Sequence, residues 1–314
     1  MLALLQGEWL KIRRQKVLAV VLLGLLVLTL GHGVIQAYQQ PVPTSEPWQP
    51  ALQSELERLE EQQQELNPGT LMYEVNRERM ILYQYQLEHD MPPDNGRNVW
   101  SFVSDNHLLL AVVGLYLITM SVYVVASEYQ QGTVKFLFLK PVAPLSVMIS
   151  KWTLIVTLAF VAISFVFAAS YLTGLVLLGT SGPTEMLVVA GDEVVVQNAA
   201  FASLRQFAWT GVEILVYCAG AFTLACVLRS VAVATAVSLF LYYSGELVAR
   251  LLAARFEWAK YLLFANLDLN AYFEGRPMAE GLTLPFSLTL LLVHLALFAL
   301  VVYKSVHNKD VPLS

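Results

Sequence analysis

Six stretches of the chain stay apolar for about 20 residues, the length a helix needs to cross about 30 Å of hydrocarbon at 1.5 Å rise per residue. They cover residues 17–36, 108–126, 152–178, 207–228, 231–252 and 282–303. Glycine, tyrosine or a lone carboxylate punctuates several of them, yet none shows the period-two alternation of a transmembrane β-strand. The pattern predicts an all-α polytopic membrane protein with six transmembrane helices. Ahead of the first span, Leu2, Leu5, Trp9 and Ile12 recur at helical spacing while Gln6, Glu8, Lys11 and Arg13 fall elsewhere. Residues 1–16 are therefore expected to form an amphipathic helix lying on the cytoplasmic face. The stretch from Gly31 to Ala37 lacks a small-x-small cleavage site, which argues for a retained span over a signal peptide.

Polar segments divide the spans. The longest, residues 37–107, begins with Pro41, Pro43, Pro47 and Pro50, which cannot continue the first helix. Leu52, Leu56, Leu59 and Leu66 then repeat among Glu and Gln, Asn67-Pro68-Gly69-Thr70 interrupts them, and Val75, Met80, Leu82 and Leu87 lead back toward the membrane. This predicts an extracellular helical hairpin, read as a solvated antiparallel pair or, functionally, as a lid or partner-docking surface. In residues 179–206, Gly191-Asp192-Glu193 followed by three valines suggests a small hairpin. Residues 253–281 carry Phe256, Trp258, Tyr261, Phe264, Tyr272 and Phe273, suited to short helices that partly re-enter the interface. Neither GxxxG spacing nor an internal repeat marks a packing face.

Composition agrees with this solvent: 57% of the 314 residues are apolar and 14% are charged, against about 25% charged in soluble domains. Orientation follows from the basic residues. Lys11, Arg13, Arg14, Lys16, Lys135, Lys140, Lys151, Arg229, Lys304 and Lys309 fall in one set of alternate segments, with only Glu8, Glu128 and Asp310 opposing them. That side is expected to be cytoplasmic, with both termini on it and a net charge of +7, while the other side carries −10. The overall −5 leaves no basic track for a phosphate backbone, so a nucleic-acid partner is not expected. Cys218 and Cys226 share one apolar stretch and read as packing residues.

The chain has no G-x-x-x-x-G-K-[ST], G-x-S-x-G or H-E-x-x-H, and its five histidines are scattered at spacings that make no metal cluster,. No cofactor, catalytic residue or metal site is expected on this chain. The informative segment is 127–151, after the second span. Glu128, Gly132, Thr133, Pro141 and Lys151 follow one another there, with the apolar run Phe136-Leu137-Phe138 between them. This order resembles the permease subunit of ABC-2 type exporters, in which an E-x-x-x-G-T element, an apolar-basic helix, a proline and a lysine precede the third span. The six spans, interfacial helix, large first insert and aromatic loop extend the resemblance over the whole length. A basic residue often follows the proline in that family, in a pattern like P-x-S-R, whereas Ala143 and Pro144 stand here.

The resemblance implies a multi-pass subunit of a bacterial cell membrane exporter, paired with a second copy or a paralogue. Two ABC ATPase subunits would bind ATP and Mg on its cytoplasmic face. It also implies that Glu128, Gly132, Thr133, Phe136, Pro141 and Lys151 form the ATPase-coupling element, a cytoplasmic helix seated in a groove of the partner. Glu128 would stand near the start of that helix, favourably placed against its N-terminus. Gly132 would permit the bend and the Phe136 region would anchor it. Two carboxylates, Glu213 and Glu246, lie inside spans, where charge is costly and marks function or pairing. Each is 16 positions from the turn at Arg229 and Ser230, so they share a depth about 24 Å from it. Pairing with Arg205, Arg250 or Arg255, sharing a proton, and contact with a cationic substrate group are the readings open to them. The rival class for the whole chain is a membrane sensor or assembly factor whose outer hairpin binds a ligand without transport.

Overall fold

A computed structural model describes residues 7, 16–38, 48–68, 70–93, 98–132, 143–180, 184–191, 193–279 and 281–307. Outside them lie most of the expected interfacial helix, the centre of the coupling loop with Thr133, Phe136 and Pro141, and the tail beyond His307. The described chain forms helices α1 (Val17–Tyr38), α2 (Trp48–Glu65), α3 (Leu71–Glu88), α4 (Val99–Asp105), α5 (Leu110–Gln130), α6 (Pro144–Leu177), α7 (Ala199–Leu228), α8 (Val231–Ala253) and α9 (Leu284–His307). Six segments are long and apolar enough to cross a membrane: α1, the α4–α5 run Val99–Gln130, α6, α7, α8 and α9. The protein is a predominantly helical, multi-pass membrane protein.

Helix α5 is the hub. It packs against α6, α7 and α8, and Leu110, Val113, Leu117, Ile118, Val122 and Val125 are all at most 1% exposed. Of the most apolar window of the α4–α5 run, 61% of residues are buried, against 17% for α1, α8 and α9, so the last three form the outer layer. Helix α1 lies along α6, and α9 closes the bundle against α7. Four hydroxyls inside the spans are satisfied locally: Thr29, Ser121, Ser203 and Thr223 each donate to the carbonyl four residues back, which removes the cost of a bare polar group in hydrocarbon, whereas those of Ser170, Thr235 and Ser238 are buried without a partner among the described residues.

Three spans begin earlier than the hydropathy pattern predicts, α7 among them at Ala199, eight residues before 207. The second reaches back past 108 because its polar entry residues find partners on neighbouring helices. Asn106 Oδ1 lies 2.8 Å from His32 Nδ1, Gln36 donates to Asp105 at 3.0 Å, and Ser104 donates to Gln206 at 3.1 Å. Asn98 caps α4 by accepting from the Trp100 and Ser101 amides at 2.8 and 2.9 Å,. Helix α6 starts at Pro144, eight residues before 152, with the proline in the first turn where its missing N–H costs nothing,.

The segment between α1 and α4 forms the antiparallel pair α2 and α3. Thr70 caps α3 through the Tyr73 amide at 3.3 Å, and Gln63 donates to the Tyr73 carbonyl across the turn. Strands β1 (Glu185–Ala190) and β2 (Glu193–Asn198) pair antiparallel, Ala190 opposite Glu193; among the described residues they are the departure from an all-helical chain. Between α8 and α9 the chain makes three 3₁₀ turns, Glu257–Tyr261, Leu263–Asn266 and Asn270–Tyr272. These turns pack on α7, α8 and α9. A buried network fastens them: Ser287 donates to Asn266 Oδ1 at 2.5 Å, Ser287 also meets the Tyr272 hydroxyl, and the Asn266 amide donates to the Lys260 and Leu262 carbonyls.

Candidate functional site

The helices alternate in direction, so the bundle has a basic end, holding Lys16, Lys151, Arg229 and Lys304, and an acidic end, covered by α2, α3, the β-hairpin and the 3₁₀ loop. Charged side chains at membrane depth occur toward both ends and are handled differently.

At the basic end, α5 runs on to Gln130, which places Glu128 in the last helical turn. It therefore sits at the negative pole of α5, where the dipole disfavours a carboxylate, while the coupling helix at whose start it was expected lies outside the described residues. Lys151, on the second turn of α6, compensates. Its Nζ lies 2.8 Å from Glu128 Oε1 and donates to the Val124 carbonyl at 2.6 Å, and the lysine side chain is 1% exposed while that of Glu128 is 17% exposed. The two ends of the 23-residue interval are thus clamped together. Gly132, two residues past α5, has φ +66, a left-handed conformation that glycine adopts without the steric penalty other residues meet. The α7–α8 turn joins the same corner: Arg229, itself at φ 52, stacks over the Tyr129 ring at 5.4 Å. Beside this corner a cavity of about 300 Å³ opens between α6, α7 and α9. Its wall includes Trp152 and Phe222, in edge-to-face contact at 6.0 Å.

Toward the acidic end, Glu246 binds Arg250 at 2.7 Å, one turn along the exposed face of α8. Glu213 on α7 makes no ion pair with a described residue; Asp268 and Glu246 lie within electrostatic range of it. Arg205 is directed elsewhere, donating to Gln197 Oε1 at 2.8 Å and lying over the Phe273 ring at 4.4 Å. Of the three arginines considered in the sequence, Arg250 is the one with an ion pair among the described residues, and that pair is with Glu246. Asp268 escaped sequence reasoning. Its carboxylate accepts the Asn270 and Ala271 amides at 3.1 and 3.2 Å, a local turn whose sequence trace is the Asn266-Leu-Asp-Leu-Asn270 spacing. The loop reaches this position because Gly245 leaves room for it: a Cβ there would stand 2.5 Å from the Phe264 ring. Farther out, Arg276 joins the loop to α3 through Glu78 at 3.0 Å. Removal from water pushes the Glu78 carboxyl above its ordinary range, with Arg276 opposing. Among the described residues no group of three or more His, Cys, Asp or Glu side chains is placed to hold a metal ion.

Residues 69–312 match the family model described as "Protein of unknown function (DUF2705)", so the chain belongs to that family. It is similar to "Uncharacterized protein YhcI" of Bacillus subtilis (strain 168), at 30% identity over 99% of both chains. It is also similar to "Uncharacterized membrane protein YdbK" of the same organism, at 29% identity over 62% of this chain and 76% of that protein. No solved structure matches.

Proposed function

We propose that this member of the DUF2705 family is the membrane-spanning permease subunit of an ABC-2 type exporter. It forms the translocation pathway and receives work from two separate ATPase subunits, which bind ATP and Mg, while a second copy or a paralogue completes the membrane domain. The observation that carries this reading is the buried Glu128–Lys151 pair. It ties the end of one span to the start of the next at the base of the segment with the exporter-like order Glu128, Gly132, Thr133, Pro141, Lys151. In this reading the segment projects into the cytoplasm, and a push on it from an ATPase reaches α5 and α6 together because the pair prevents them from moving apart. The Tyr129–Arg229 contact carries the same displacement to the α7–α8 turn. The basic charge of this end agrees with a cytoplasmic placement.

The test is co-purification of an ATPase with the chain from its native membrane, followed by ATP hydrolysis with and without the permease. The expected result is permease-dependent stimulation, which the double replacement Glu128→Gln with Lys151→Met abolishes while the complex still assembles. No associated ATPase, or full stimulation in the double variant, overturns the reading.

A further inference from the structure

We infer that Glu213, with Asp268 at its rim and Tyr217 and Tyr242 as walls, forms a binding site for an organic cation of the ammonium class. Glu213 lies 16 positions from Arg229, about 24 Å along α7, with no cationic partner among the described residues. A carboxylate at that depth is costly unless something compensates it. The nearby acids do not: Glu246 is already neutralised by Arg250, and Asp268 is satisfied by two backbone amides yet still adds negative charge. Tyr217 stands one turn along α7 from Glu213. Its side chain is only 8% exposed, its hydroxyl makes no hydrogen bond to a described residue, and it lies within electrostatic range of Glu213, Glu246 and Tyr242.

The surroundings select the class of ligand. The carboxylates stand within electrostatic range of one another, yet the described residues offer no cluster that closes on a metal ion. An organic cation needs no such cluster, because one carboxylate and neighbouring ring faces can hold it. Aromatic rings cluster here: Tyr217 meets Tyr242 edge-on at 4.8 Å and Phe264 at 6.0 Å, and Tyr242 contacts Tyr243 at 5.3 Å. Ring faces beside carboxylates attract an ammonium or quaternary ammonium group through cation–π and charge interactions at once. Access is from the side and the loop mouth, where Tyr243, Glu246 and Asp268 are exposed. As a cargo site this deepens the exporter reading and rests on it; as a binding site it stands alone.

The experiment is calorimetric titration of the purified chain, in phosphatidylglycerol nanodiscs and without any ATPase, with benzyltrimethylammonium, using benzyl alcohol as the neutral control. Saturable binding of the cation alone is expected, weakened at least tenfold by Glu213→Gln and two- to threefold by Tyr217→Phe. Glu213→Asp and the remote Glu74→Gln should stay within threefold, and unfolding curves of all variants report whether the fold is retained. Repeating the titration with phosphatidylethanolamine in the disc separates the natural sources. Loss of the signal identifies a lipid headgroup ammonium as occupant, and unchanged affinity a soluble cation. Equal binding by a folded Glu213→Gln variant, no saturable binding by the wild type, or displacement by equimolar calcium overturns the inference. Failure here leaves the exporter reading standing, since that reading falls only with the absence of permease-dependent ATP hydrolysis.

Discussion

The two ends of the bundle carry the same chemical problem and solve it in opposite ways. At the basic end, a carboxylate at the wrong pole of its helix is closed off by a fully buried lysine, and that lysine is itself completed by a backbone carbonyl. Toward the acidic end, Glu213 has no ion-pair partner among the described residues, and Asp268 and Glu246 lie within electrostatic range of it. The lesson is that a charge inside a membrane protein is informative through its partner. A closed pair ties moving parts together, whereas an open acid marks a place where something else is to be bound.

The largest effect is expected from opening the closed end. Lys151→Met removes a buried donor from both Glu128 and the Val124 carbonyl, and loss of one partner of a buried pair costs about 3–5 kcal/mol. Thermal unfolding in detergent should show a large drop for this variant, and the double replacement with Glu128→Gln should recover most of it. Additive losses would mean that the pair is not a unit. Next is the close contact between α8 and the 3₁₀ loop. Gly245→Leu drives a side chain into Phe264 and should cost about 1–3 kcal/mol as overpacking. It should also displace Phe264 and Asp268 from Glu213, so cation affinity falls while ATPase co-purification is retained.

A smaller, pH-dependent effect is expected at Glu78. Its carboxyl is harder to ionise in the folded chain than in the unfolded one, because it is partly withdrawn from water. The unfolded state therefore releases its proton first. The stability contributed by protonated Glu78 is complete below the unfolded pKa and is lost as pH rises through the folded one. Unfolding temperatures measured across the carboxylate range should show this decline, and Glu78→Gln should flatten it. The smallest effect belongs to Arg250→Ala. Its pair with Glu246 is exposed on both sides, so stability should change by less than about 1 kcal/mol. A second carboxylate is then left unpaired near Glu213, and binding of the cation probe should tighten slightly. A stability loss as large as that of Lys151→Met would erase the contrast between the ends.

The spans were legible because long apolar runs have one physical meaning in a chain this poor in charge. Their starts were not, since Ser104, Asp105 and Asn106 look like loop residues until Gln206, Gln36 and His32 arrive from other helices. Glu128 and Lys151 were legible as members of one segment by order, but not as an ion pair. The helix pole on which Glu128 sits depends on how far α5 continues, and Ser127-Glu128-Tyr129-Gln130 carries no stop signal. Asp268 could not be placed beside Glu213 from sequence, because that approach depends on Gly245 admitting Phe264. Likewise Arg205 looked like a partner for Glu213, and the β-hairpin and Phe273 claim it instead.

Helix α6 is a single rod of 34 residues, about 51 Å long. Lys151 grips it seven residues from the tip, about 10 Å along, and some 39 Å of helix extend beyond to Leu177. With the grip as fulcrum, the arms differ about fourfold in length. Tilting the short arm by 1 Å swings the far end by about 4 Å, comparable to the width of an ammonium group. Under the exporter reading proposed above, the geometry of this one helix makes it a gear, turning a small stroke at the tip into a displacement large enough to open or close a site at the opposite end.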